Sequence, residues 1–216
     1  MKKMICVLLS LLCVLSAASA LAENDFTLRG QIHFREDKAT VESKETWTPV
    51  TGFHVFSYQG EFELFEDSVP AMVNYGYNDE KQLVHVMYAL DACYDEEGKT
   101  RYGDTSCFFE LSVGLTMKYG MPTTGTNKAY ENPAYAWYVN FLNSVSSSGT
   151  ADFEAITEGV KPYVWVAPCG DGQYVTITLS MFHILQKGEN RYLTLLTYSA
   201  ETEEEMEECR KLLQSL

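Results

Sequence analysis

Gln173-Tyr174-Val175-Thr176-Ile177-Thr178-Leu179-Ser180-Met181 alternates without a break. Val175, Ile177, Leu179 and Met181 hold every second position, and Tyr174, Thr176, Thr178 and Ser180 fill the places between. Successive side chains of a strand point to opposite faces, so this period puts the apolar set on a core and the hydroxyl set toward water. A sheet with one wet face is antiparallel, since parallel sheets are covered on both. The expectation is an α+β fold whose antiparallel sheet is covered on one side only.

The flanks extend the same reading. Tyr163 to Ala167 is strand-like, and Gly170-Asp171-Gly172 is a turn into the alternating run. Lys187-Gly188-Glu189-Asn190 turns into a further strand, Tyr192 to Tyr198. A last helix is expected from Thr202, with Glu205 completing a capping box and Met206, Cys209, Leu213 and Leu216 as its apolar stripe. Acids fill its first turn, while Arg210 and Lys211 lie near its end, as the helix dipole favours.

The first half has a similar order. Phe26 to Phe34 reads as extended and Asp37 to Glu45 as a short helix. Three strand-like runs follow: Phe53 to Leu64, where Gly60 suggests a bulge or bend, Val69 to Tyr77, and Leu83 to Leu90. Asn78-Asp79-Glu80-Lys81 is a hairpin turn between the last two. After a polar loop, Tyr94 to Gly103, Asp104 or Thr105 caps a helix striped with Phe108, Leu111, Leu115 and Tyr119. Gly120 ends that helix and Pro122 prevents its continuation. Asn132-Pro133 opens another helix, with Trp137, Phe141 and Val145 on one face. Ala151 to Glu158 reads as a helical turn or two. Helix plus three antiparallel strands thus occurs twice. The expected architecture is two such units in tandem, packed as one body: residues 23–122, ending in their helix, and 123–216.

Residues 1–22 carry an address. Lys2 and Lys3 precede the apolar run Met4 to Leu15, and Ala18-Ser19-Ala20-Leu21-Ala22 offers small-x-small cleavage sites. This is the layout of a bacterial secretory signal peptide, and its apolar run is too short for a comfortable span. The expected location is secreted or extracytoplasmic, with no integral membrane segment after cleavage. The chain has a formal charge of −14, and cleavage removes two lysines from it. So acidic a protein is repelled by nucleic acid and by anionic membranes.

Six cysteines are present, of which Cys6 and Cys13 lie in the signal. An even set in an exported chain suggests two disulfides. Cys93–Cys107 with Cys169–Cys209 keeps each bridge within its own half; four buried thiols are the alternative. No C-x-x-C and no histidine at ligand spacing from a cysteine points to a metal, and no cofactor motif occurs.

Catalytic motifs are equally missing. His33, His54, His85 and His183 sit singly in strand-like runs, where packing is the ordinary role. Asp95-Glu96-Glu97-Gly98 with Asp104 departs from the spacing of a calcium loop. Glu201, Glu203, Glu204, Glu205, Glu207 and Glu208 are accounted for by a helix start.

The aromatics are more suggestive. There are 14 tyrosines and 3 tryptophans. Tyr75, Tyr77, Tyr163, Trp165 and Tyr174 fall on strands and are candidates for a binding face that stacks on a protein or an envelope component. Tyr174 is the sharpest of them, since it lies on the polar side of the cleanest strand.

Two stretches are similar to a known arrangement. Ile32-His33-Phe34-Arg35-Glu36-Asp37-Lys38-Ala39-Thr40-Val41 resembles the entry of SmpA/OmlA and β-lactamase-inhibitor-protein-like (BLIP-like) envelope domains, in which a turn leads into a helix carrying a valine. Leu115-Thr116-Met117-Lys118-Tyr119-Gly120-Met121-Pro122 resembles their helix ending. The resemblance implies a helical pair over a curved antiparallel sheet, sometimes duplicated, and a binding or scaffolding module without catalytic residues.

Three functions follow as expectations. The first is a non-enzymatic envelope protein that binds a macromolecule through an aromatic sheet face. The second is a small-ligand carrier with a pocket between helix and sheet, lined by Trp137 and Phe141. The third is a hydrolase of envelope polymers using carboxylates such as Asp104 and Glu110. The oligomeric state stays open.

Overall fold

The computed structural model describes residues 26–50, 58–64, 67–94, 100–124, 155–170 and 173–202. A 3-10 turn at Arg29–Gln31 leads to helix α1 (Lys38–Lys44). Strands β1 (Thr48–Pro49), β2 (Tyr58–Leu64), β3 (Asp67–Tyr77), β4 (Leu83–Leu90), β5 (Ala92–Tyr94) and β6 (Thr100–Tyr102) follow. After helix α2 (Ser106–Tyr119) come β7 (Thr123–Thr124), β8 (Ala155–Gly170), β9 (Gln173–Gln186) and β10 (Glu189–Thr202). The signal segment, the helix expected at Asn132-Pro133 with Trp137 and Phe141, the run from Glu203 with Cys209, and His54 lie outside the described residues.

The tandem arrangement is not what forms. Eight strands make one antiparallel sheet in the order β1-β2-β3-β4-β10-β9-β8-β7, and β5 pairs with β6 as a separate ribbon. The joint is β4 against β10, with Thr194 opposite Leu90 and Ser199 opposite His85. Instead of completing a second small sheet, the last strand takes the free edge of β4. The length of β9 and β10 makes this possible. They pair over 14 positions from Glu189–Gln186 to Thr202–Gln173, and one strand of that reach serves a partner on each edge. β8 is longer than expected as well. Ala155 to Glu158 pair with β9 rather than forming a helical turn, where Ile156 and Thr157 are β-branched and face a ready partner strand.

The sheet is not wet on one side. Val175, Ile177, Leu179 and Met181 face the principal core, together with Val86, Tyr88 and Leu90 of β4 and Ala71, Val73 and Tyr75 of β3. α2 lays Cys107, Phe108, Leu111 and Leu115 on that face. On the opposite face Thr178, Ser180, Thr197 and Ser199 are buried too, among Leu193, Leu195, Phe182, Ile184, Met87 and Met72. Short hydroxyl side chains read as wet in sequence, yet they pack well inside a sheet where β-branched and small residues fit the pleat.

Local chemistry explains the joints. Asp37 caps α1, its carboxylate accepting from the Thr40 amide at 2.8 Å, and Val41 is fully buried. Arg35 and Leu83 exchange contacts through Arg35 N to Leu83 O at 2.9 Å, and Leu83 N donates to Glu36 O at 2.8 Å. These bonds tie the entry of α1 to the β3–β4 turn. Phe26 to Phe34 is not one extended run. Thr27 bridges back to His33 around the turn, where Gly30 takes φ +67°. Asp104 is the working cap of α2, its Oδ1 accepting from the Ser106 amide at 2.7 Å. Gly120, at φ +85°, ends the helix as expected. Gly60 makes no bulge. It sits in register opposite Ala71 and has another use.

Candidate ligand-binding pocket

The aromatic residues expected to share a wet face do not share one. Tyr75 is 8% exposed and its hydroxyl donates to Glu45. Tyr77 is half-buried against the principal core. Trp165 is buried, and its indole N–H donates to the Gly120 carbonyl at 2.9 Å, closing the end of α2. Tyr163 packs between Phe108 and Trp165, with ring centroids 5.6 and 6.1 Å away. Tyr174 is half-buried and belongs to the opposite face of the sheet. These rings are core and edge residues on two faces, and sequence alternation had no way to show which face was closed.

A different set converges. Trp47, just after α1, stands over Gly60 of β2. A Cβ on Gly60 would lie 2.6 Å from the indole Cγ and Cδ1, so only glycine leaves room for the ring. The Arg29 guanidinium lies 3.9 Å from the centre of the same indole, in cation–π contact. Arg29 also pairs with Glu45, whose side chain is 1% exposed. Glu45 collects further donors: the Trp47 amide at 2.6 Å and the Tyr75 hydroxyl. Burial works to raise the Glu45 carboxyl, but the bonds from Arg29, Tyr75 and the Trp47 amide outweigh it and hold it below its usual range.

Tyr88 of β4 is the hub beside this stack. Its ring meets Phe62 at 5.2 Å, Trp47 at 6.2 Å and Tyr198 of β10 at 6.2 Å, all edge-on. Phe26 packs on Tyr198 at 5.5 Å. Between the Phe26–Arg29 segment, β2 and the end of α2 the wall opens into a pocket of about 430 Å³. Phe26, Trp47, Phe62, Tyr88, Tyr119 and Tyr198 give its rings. Arg29 and Lys118 bring positive charge to it, and Glu61 and Glu63 of β2 bring negative charge. Burial pushes the Tyr88 phenol up to about 12 and Tyr198 up as well, so both stay neutral hydrogen-bonding groups. Such a site can stack on a flat or ring-shaped body and meet its polar ends with charges of either sign.

The remaining candidates are structural. Cys107 is a buried, free thiol, and burial with nearby Asp91 and Glu110 pushes it up to about 12, far from a reactive thiolate. The expected Cys93–Cys107 bridge is therefore not formed in this structure. Cys169 is half-buried, and its expected partner Cys209 lies outside the described residues. His85 and Ser199 share a hydrogen bond of 2.9 Å across β4 and β10, and His183 one of 2.8 Å with Asn190. Asp104 caps a helix and Glu110 is exposed on its outer side. Among the described residues no three His, Cys, Asp or Glu side chains are grouped to hold a metal ion, and no helix is long and apolar enough to cross a membrane.

Val86, Tyr88 and Leu90 alternate along β4 and so share one face, which put one wall within reach of the sequence. Arg29 and Trp47 carried no signal, because their partnership depends on a turn and a helix between them. No protein family, curated protein or solved structure matches the chain.

Proposed function

We propose that this chain is an exported, non-enzymatic binding protein of the bacterial cell envelope. It holds a small amphipathic ligand in the pocket centred on Tyr88. The ligand is a free molecule or the terminal group of an envelope component. The pocket carries this reading: aromatic walls, mixed charge at the margin, and a volume in the ordinary range for small-ligand sites. The signal-like first 22 residues and the likeness of Ile32–Val41 and Leu115–Pro122 to envelope domains support the address. Binding is favoured over catalysis because three of the polar groups at the wall are committed to structure. Arg29 is held by Glu45 and by the Trp47 ring, and the Tyr88 and Tyr198 phenols are held neutral.

The test is a thermal-shift and calorimetric panel of aromatic acids, amino sugars, muropeptide fragments and short acyl amides. At least one class is expected to raise Tm, and Tyr119→Ala and Phe26→Ala should weaken that ligand roughly tenfold or more while the protein stays folded. A panel without binders, or a binder indifferent to both substitutions, overturns the assignment of the pocket.

A further inference from the structure

The pocket beside Tyr88 already holds two cations of the chain itself, and both lie on rings. The Arg29 guanidinium is 3.9 Å from the centre of the Trp47 indole, and the Lys118 ammonium is 5.0 Å from the centre of the Tyr119 ring. All four residues line the same opening. The negative face of an aromatic ring attracts a cation, most strongly where water is partly excluded. Phe26 and Phe62, half-buried in the same lining, bring further rings.

The acids at this opening outnumber the free bases. Arg29 is neutralised by Glu45. Glu61 and Glu63, on either side of Phe62 in β2, line the pocket and are exposed, and among the described residues neither is in an ion pair. They stand against a single base, Lys118. The whole chain adds a formal charge of −14, whose field favours the approach of a cation and opposes that of an anion.

On the reading that this pocket takes a small ligand, we propose that the ligand is an organic cation, a substituted or quaternary ammonium on a small apolar body, with the rings as its seat and Glu61 and Glu63 as its counter-charges. Alkyl groups on the nitrogen bring apolar surface to the rings, and the spread charge needs no hydrogen bond to be held there. An anion of the same shape would meet both acids with only Lys118 to offset them. An uncharged body would use the rings and neither acid.

Calorimetric titration of the purified protein with two matched pairs tests the class. One pair is choline and neohexyl alcohol, in which carbon replaces the nitrogen; the other is phenethylamine and phenethyl alcohol. Phenylpropionate serves as the anion. At least one cation is expected to bind with a dissociation constant on the order of 100 µM, and roughly tenfold or more tightly than its uncharged counterpart. The double variant Glu61→Gln, Glu63→Gln alters exposed side chains only. It should weaken the cation roughly tenfold and leave the uncharged counterpart unchanged, while Lys118→Gln should strengthen the cation by about threefold. Equal binding of the two members of a pair, a cation indifferent to Glu61 and Glu63, or no binding by either cation overturns the proposal. Phenylpropionate that binds and loses affinity in Phe26→Ala, where neither cation binds, removes the cation class and leaves the pocket standing. If the wider ligand panel also gives no binder, the pocket falls with it.

Discussion

Two carboxylates, Glu45 and Asp91, are both drawn away from water, and they are pushed in opposite directions. Glu45 accepts from Arg29, the Trp47 amide and Tyr75, and these donors overcome burial and lower it. Among the described residues Asp91 accepts from the Asp104 amide, at 3.1 Å. Burial raises it, the neighbouring Asp104 charge adds to the rise, and Arg191 pulls back only in part. Asp91 also sits at φ +54°, and its carboxylate fills the place where a Cβ on Gly103 would go, 1.4 Å from Oδ2. Burial alone does not set the sign of a carboxylate's contribution. The number of donors it gathers does.

The sharpest break in this comparison is Glu45→Ala. It leaves the Arg29 charge and the Tyr75 hydroxyl without their acceptor, and the expected loss is about 3 kcal/mol in urea unfolding. Because Glu45 is lowered in the fold, its contribution is complete above the unfolded carboxylate range and disappears as pH falls through its depressed value. The gap between wild type and variant should therefore close in acid. A loss that does not vary with pH would mean that packing, and not the donor set, carries the effect.

Gly60→Ala strikes the same cluster from below. The new methyl displaces the Trp47 indole from its seat, at an expected cost of about 2 kcal/mol with a shift in tryptophan emission. Trp47→Ala in the same chain should remove most of that additional cost, because the clash has a single target. A fully additive double variant would contradict the stacking.

Asp91→Asn gives the smallest effect and the opposite sign. Asparagine tolerates the left-handed backbone and still accepts from Asp104, but carries no buried charge. A gain below ~1 kcal/mol is expected at neutral pH. Asp91 is raised in the fold, so its ionised form opposes folding above that raised value. The gain should fade as pH falls and Asp91 takes up its proton. A loss at neutral pH would show that the carboxylate has a partner worth more than its burial costs.

Much of the chain was legible where one period or one cap decides. Asp37 and Gly120 mark helix ends, the Asn78–Lys81 turn joins β3 to β4, and the odd positions of β9 line the core. Reading went wrong where the answer depends on what lies across space. Thr178 and Ser180 look wet until Thr197 and Leu195 are known to stand beside them. β10 looks like the end of a second unit until β4 offers its edge. The same gap hid the site. Tyr75 and Trp165 drew attention as aromatics on strands and proved to be core, while the pocket depends on Arg29 stacking over Trp47 and on a glycine that makes room for the ring.

The seam between β4 and β10 has a consequence in time. Leu90 is made about a hundred residues before its neighbour Thr194, so closing that loop is slow compared with zipping β9 to β10 through the two-residue turn at Lys187–Gly188. While the chain is being synthesised, β4 presents an unpaired edge on its β10 side until residues 189–202 exist. A nascent or truncated chain that stops short of Glu189 is therefore an incomplete sheet with an open, largely apolar strand, which is the kind of species that aggregates or is held by a chaperone. The final strand acts as the latch that commits the whole molecule to its fold.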